Sequence, residues 1–198
     1  IRKLSINGQS QSNDGCLGKT MKNTQQELNE YFSNHWNSEI EKYPRSGFNL
    51  AKEVSDSERV LDVGCGHNPF KGMIKNLVGI DPAFKEADFH GTIEEYQSDE
   101  LFDVAFCLGS INFGNEAKIR LEIEKIISLL KPNGRIYWRC NPARADHDSE
   151  KCEEINFFNW SLAYHEQFCK DYGFELYDVA LERPEPHKKR IYAVWQRS

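Results

Sequence analysis

Apolar positions along this chain change period several times, and each change marks an element. From Thr24 to about Lys42, Leu28, Tyr31, Phe32, Trp36 and Ile40 recur at spacings of three and four, which predicts an amphipathic helix. Pro44 stops it, and Ser46 stands where it can cap a short second helix over Phe48 to Val54. Strand and helix signals then alternate. The pattern predicts a strand over Arg59 to Val63, a short helix over Phe70 to Lys75, a strand over Leu77 to Ile80, a third strand over Ala87 to His90, and a turn from Thr92 to Tyr96. Phe102 to Leu108 is a continuous apolar run, as expected of a strand buried on both faces. Asn115 opens a long helix to Leu130 with Ile119, Ile123, Ile126, Ile127 and Leu130 on one face, and Lys131-Pro132-Asn133-Gly134 closes it before a strand over Arg135 to Arg139. A last helix over Ser161 to Tyr172 carries the stripe Leu162, His165, Phe168 and Tyr172, with Gly173 just past its end. Two alternating runs, Phe174 to Glu182 and Arg190 to Gln196, flank a turn containing Pro184 and Pro186 and read as an antiparallel hairpin.

Strands alternating with helices predict an α/β fold: a doubly wound, mostly parallel sheet with helices on both faces and the hairpin at its C-terminal end. Ligands of such sheets bind beyond the carboxyl ends of the strands, where the strand order reverses. Asp62 to Gly66, Asp81 and Leu108 to Ser110 all fall at such ends. Gly64 and Gly66 allow the backbone to pass close to a ligand, and Asp81 can accept hydrogen bonds from both hydroxyls of a ribose. A dinucleotide site would place a third glycine where Pro69 stands. The pattern therefore points to a nucleoside ligand other than NAD.

Length and charge narrow the classes. The 198 residues suit one domain with one core. Residues 1–20 are rich in Ser, Asn, Gln and Gly and are expected to be a surface arm or a foreign leader, with Met21 able to serve as the natural start. Residues 21–198 then form a single domain with a helical lid over 24–54. No apolar run reaches the ~18 residues of a membrane span. The net charge of −6 argues against a phosphate-binding surface, and the basic cluster His187-Lys188-Lys189-Arg190 is read as a solvated turn. The six cysteines show no C-x-x-C pair, so neither disulfides nor a zinc site are expected and a reducing cytoplasm fits.

The ordered set Val60-Leu-Asp-Val-Gly-Cys-Gly66, Gly79-Ile-Asp81, Gly91-Thr-Ile-Glu94, Phe102-Asp-Val-Ala-Phe-Cys107 and Leu129-Leu-Lys-Pro-Asn-Gly-Arg135, followed by the hairpin, resembles the class I S-adenosylmethionine (SAM) methyltransferases from about Arg59 to Gln196. The resemblance implies roles. Gly64, Gly66 and the Cys65 backbone would line the methionine part of the cofactor, and Asp62 would order that loop. Asp81 would hold the ribose hydroxyls and Pro82 would lie against the adenine. Thr92 and Ile93 would meet the adenine edge, although the family often has Asp where Thr92 stands. Leu108, Gly109 and Ser110 would face cofactor or acceptor. His67 and Asn68 either offer backbone N–H groups to the methionine carboxylate or form a plain turn before Pro69.

Methyl transfer from a sulfonium needs alignment more than a catalytic side chain. No Asn/Asp-Pro-Pro-Tyr/Phe motif follows Leu108, and no Pro-Cys dipeptide marks a cytosine nucleophile; Cys107 is read as strand core. Candidate catalytic groups are Asn112, read also as a loop amide, and Asp146-His147-Asp148, where flanking carboxylates raise a histidine toward base strength or simply decorate an exposed loop. Phe157, Phe158 and Trp160 wall an acceptor pocket or pack the following helix. The expected acceptor is a small molecule, then a protein side chain, with nucleic acid third. The alternative is a module on the same fold that binds SAM or S-adenosylhomocysteine (SAH), or a partner protein, without turnover.

Overall fold

The computed structural model describes residues 24–35, 44–142, 155–185 and 188–197. Helix α1 spans Gln25–His35, and α2 is a single turn over Gly47–Leu50. Strands β1 (Arg59–Val63), β2 (Asn76–Ile80) and β3 (Phe102–Leu108) precede helix α3 (Glu116–Ser128), strand β4 (Leu130–Cys140) and helix α4 (Leu162–Tyr172). Strands β5 (Glu175–Glu185) and β6 (Lys188–Gln196) end the chain. The sheet order is β2-β1-β3-β4-β6-β5. The first four strands are parallel and the hairpin is antiparallel, as the sequence predicts.

Two apolar layers cover the sheet. On one face α3 and α4 press Ile119, Ile123, Ile126, Phe168 and Cys169 against Leu61, Ala105, Ile136, Trp138 and Trp195. On the other, Leu50 and Ala51 with Phe70 and Ile74 cover Val60, Val104, Phe106 and Tyr137. Phe158 and Trp160 belong to the first layer, where Trp160 stacks on His165 at 4.7 Å, so they pack α4. His165 is fully buried and accepts from Trp195 Nε1 at 3.1 Å; burial pushes its pKa down to about 3.

Ser46, Asn115 and Ser161 cap α2, α3 and α4, each accepting from the backbone N–H three residues on. Helix α2 is shorter than its expected span, and its turn continues through Glu53 by backbone bonds. Gly173 takes the left-handed conformation that ends α4.

Four expectations are corrected. Phe70 to Lys75 is not a helix: Gly72 has φ +87°, and the chain must come back to pair β2 with β1, so residues 64–75 form successive turns. Ala87 to His90 contributes only a bridge, Ile80 to Phe89, rather than a third strand. Helix α3 stops at Ser128 because the Leu129 carbonyl accepts from Phe102 N at 2.8 Å and Leu130 pairs with Phe102. Lys131 to Gly134 accordingly lie within β4, as an outward bulge between the Phe102–Leu130 and Val104–Arg135 pairs. Trp36, Ile40, Asp146, His147, Asp148 and His187 lie outside the described residues.

Candidate functional site

Strand order reverses between β1 and β3, and a crevice opens there beyond their carboxyl ends. Its cavity volume is about 160 Å³. Of the sequence-predicted residues, Gly64, Gly66, Asp81, Pro82, Thr92, Ile93, Leu108 and Ser110 all line it. They come from four separate segments, so the sheet has gathered what the sequence scattered.

Gly64 (φ +72°) and Gly66 (φ +57°) turn the chain away from β1. A Cβ on Gly64 would stand 2.3 Å from Ser110 Cβ, so the two loops meet at a distance open only to glycine. Asp81 closes the opposite side. Its Oδ2 accepts from Gly66 N at 2.9 Å, and its Oδ1 accepts from Ala83 N at 2.8 Å and Phe84 N at 3.1 Å. The carboxylate thus ties the glycine turn to the end of β2 and is oriented by three backbone N–H groups. Oδ2 keeps a lone pair for a further donor.

Asp62 lies below this turn. It is buried and does not line the crevice, and its Oδ2 has no hydrogen-bond partner. Burial, then the negative charge of Asp81, raises its pKa to about 7. A raised acid stabilises the folded chain below its unfolded pKa and loses that contribution as pH climbs through the folded value. Relative to Asp62→Asn, the wild-type melting temperature should therefore fall as pH rises from about 4 to about 8, whatever Glu122 and His165 contribute to both proteins. A difference between the two proteins that stays constant with pH in scanning calorimetry would show that Asp62 does not titrate in this range.

Cys65 turns its thiol into the protein, where burial raises its pKa, and its backbone N–H donates to Ile80 O at 3.0 Å. Its side chain is no part of the crevice. Asn112 is a correction as well. It is fully buried, its Nδ2 donates to Gly109 O at 2.7 Å and its Oδ1 accepts from Asn141 N at 3.1 Å, so it braces the β3 and β4 loops rather than meeting an acceptor. Thr92 N and Oγ1 both donate to Glu95 Oε2, at 2.8 and 3.1 Å, which makes Thr92 the cap of its own turn. His67 sits edge-on to Phe84 at 4.3 Å, and Asn68 adopts φ +55°, with its Nδ2 donating to Glu86 O and Asp88.

Sequence reading missed two parts of the lining. Helix α1 lays Gln25, Leu28, Asn29 and Phe32 along the crevice, with Phe32 edge-on to Phe113 at 5.4 Å. Phe32 belongs to the apolar stripe of the lid helix; Gln25 and Asn29 do not, because polar residues on a lid helix look like its solvent face. Helix α3 contributes Lys118 and Glu122. Lys118 Nζ binds Glu122 and reaches Glu94 Oε1 at 3.4 Å. Burial raises the Glu122 pKa to about 7, against the opposing pull of Lys118. The signal was present: positions 119, 122, 123 and 126 form one helical face, and Glu122 is its one charged member. Among the described residues no group of His, Cys, Asp and Glu is arranged for a metal ion, and no helix is long and apolar enough to cross a membrane.

No family model matches this chain, and no curated protein matches its sequence. Solved structures do match its backbone. One is the 1,6-didemethyltoxoflavin-N1-methyltransferase of Burkholderia thailandensis, with 1,6-didemethyltoxoflavin and SAH bound; it is 14% identical, the match covers 76% of each chain, and the TM-score is 0.62. Magnesium protoporphyrin IX methyltransferase from Synechocystis, with bound SAM, is 14% identical over 86% of this chain and 95% of its own, at a TM-score of 0.60. The N-methyltransferase NodS of Bradyrhizobium japonicum, with SAH, is 14% identical over 76% and 83%, at 0.59. The fold is that of the class I SAM-dependent methyltransferases.

Proposed function

We propose that this protein is a SAM-dependent methyltransferase acting on a small-molecule acceptor. The observation that carries the reading is the Asp81 carboxylate bound to the Gly64–Gly66 turn at the edge of the switch-point crevice. The residues present suit the cofactor. Asp81 Oδ2 keeps acceptor capacity for a ribose hydroxyl, Gly64 leaves a passage that any Cβ would fill, and Ser110 Oγ is a buried oxygen without a partner beside that passage. SAM, when bound, supplies an activated methyl group for in-line displacement and leaves as SAH.

The chain's own part is to orient. Gly64, Gly66 and the Cys65 backbone border the amino-acid end. Pro82 and Ile93 give apolar walls for the base, Thr92 lies at its edge, and Leu108 and Ser110 face the reacting end. Asp62 supports the glycine turn from beneath. The described residues offer no designated base at that end, and in-line alignment can supply about 7–11 kcal/mol without one. A small acceptor is favoured because α1 roofs the crevice with Leu28 and Phe32. Two of the similar structures are, by name, methyltransferases of toxoflavin and protoporphyrin compounds.

Titration calorimetry with SAM and SAH, with NAD as control, tests this. Micromolar binding of SAM and SAH, weakened about ten- to a hundredfold by Asp81→Ala, is the expected result, since hydrogen bonds to a charged acceptor are each worth about 1.5–3 kcal/mol. Failure of both ligands to bind would remove the reading and leave partner binding as the leading role. Binding would justify a screen for acceptors with radiolabelled methyl groups.

A further inference from the structure

The base end of the crevice has a polar group that the motifs do not account for. Taking the proposed cofactor as given, Asp81 locates its ribose and Gly64 its amino-acid end, so the adenine lies toward the walls formed by Pro82–Phe84 and Gly91–Glu94. The family's frequent carboxylate at this wall is replaced by Thr92, whose hydroxyl proton is committed to Glu95. On this side the lining turns to α3, where Lys118 connects Glu94 to Glu122. Glu122 is 7% exposed and projects from the same face of α3 as Ile119, Ile123 and Ile126. Leucine would serve the core better there, because a buried ion pair rarely stabilises a fold as much as apolar packing. A carboxylate kept at a core position and lining a ligand crevice is a site residue by the same logic.

We propose that Glu122, positioned by Lys118, accepts a hydrogen bond from the exocyclic amino group of the cofactor's adenine and so selects adenine at the base end of the crevice. Lys118 holds the carboxylate in place and offsets the cost of burying it. Glu94, about two-fifths exposed at its side chain, anchors Lys118 from the loop side without reading the base. The geometry thus moves the work of the family's loop carboxylate onto a helix, whose backbone is the more rigid support.

The test compares SAH with its analogue carrying purine in place of adenine, which lacks only the exocyclic amino group. Wild type should bind SAH about tenfold or more tightly than the analogue, because the Glu122 oxygen not held by Lys118 otherwise faces the bound ligand without a donor. In Glu122→Leu that ratio should fall to near one, with the analogue bound no worse than by wild type. Glu124→Gln, on the exposed face of α3 and outside the crevice, should keep the wild-type ratio. Thermal melting of each variant verifies the fold, and Glu122→Leu should melt no lower than wild type. A merely structural role for Glu122 would weaken both ligands alike and leave the ratio standing, which overturns the assignment. A wild-type ratio of one overturns it too. If SAH itself does not bind, the cofactor reading falls and this inference falls with it, so the two failures are told apart.

Discussion

Gly64→Ala should lose about a hundredfold or more in SAH affinity, a larger loss than any side-chain deletion in the crevice, because the new Cβ displaces two loops that line the site. Two effects combine. The residue sits at φ +72°, where a non-glycine residue is strained by about 1–3 kcal/mol. Its new Cβ would also lie 2.3 Å from Ser110 Cβ and 3.2 Å from Ser110 Oγ. Either the glycine turn or the loop after β3 must shift, and both border the ligand. The contributions can be separated. Ser110→Gly removes the opposing Cβ but not the strain, so Gly64→Ala/Ser110→Gly should regain much of the binding while remaining less stable than Ser110→Gly alone. Calorimetry on the three variants reads this directly. No recovery in the double variant would mean that backbone strain, and not the collision, governs the turn.

Glu182→Ala should cost about 3–5 kcal/mol of stability, since it removes one member of a buried ion pair and the acceptor of the Arg45 N–H. Glu182 and Arg139 are each 5% exposed, on β5 and β4, with Arg139 Nε 3.7 Å from Glu182 Oε2. Glu182 Oε1 also accepts from Arg45 N at 3.1 Å, and Arg139 donates to the Arg45 carbonyl. The pair therefore fastens the segment before α2 to the far side of the sheet. Arg139→Met/Glu182→Leu should restore most of the loss, because apolar side chains of similar size remove both charges from the interior. Urea unfolding of the single and double variants measures it. A single variant within about 1 kcal/mol of wild type would show that the pair is solvated and weak, as surface pairs are.

The two residue sets above differ in how far they could be read in advance. Gly64, Gly66 and Asp81 were legible because their chemistry depends on local order: a strand, a glycine turn, a second strand, an acid at its end. The strand boundaries at Arg59–Val63 and Phe102–Leu108 were legible for a similar reason, since a strand buried on both faces must be a continuous apolar run. The ionic pair of Arg139 and Glu182 was not, because its partners are far apart in sequence and meet only when β4, β6 and β5 lie side by side.

The sequence by itself determined the strand–helix alternation, the caps at Ser46 and Asn115, and the crevice's glycine turn and acid, all of which rest on interactions within a few residues. Only the tertiary structure decided the rest. Return of the chain to β2 overrode the helical spacing of Phe70 and Ile74. Pairing with Phe102 drew Leu130 out of α3 and into the sheet. Packing against the core turned Asn112 into a brace, and laid Gln25, Asn29, Lys118 and Glu122 along the crevice. Each of these depends on which segments become neighbours in space, and periodicity along a chain carries no record of that.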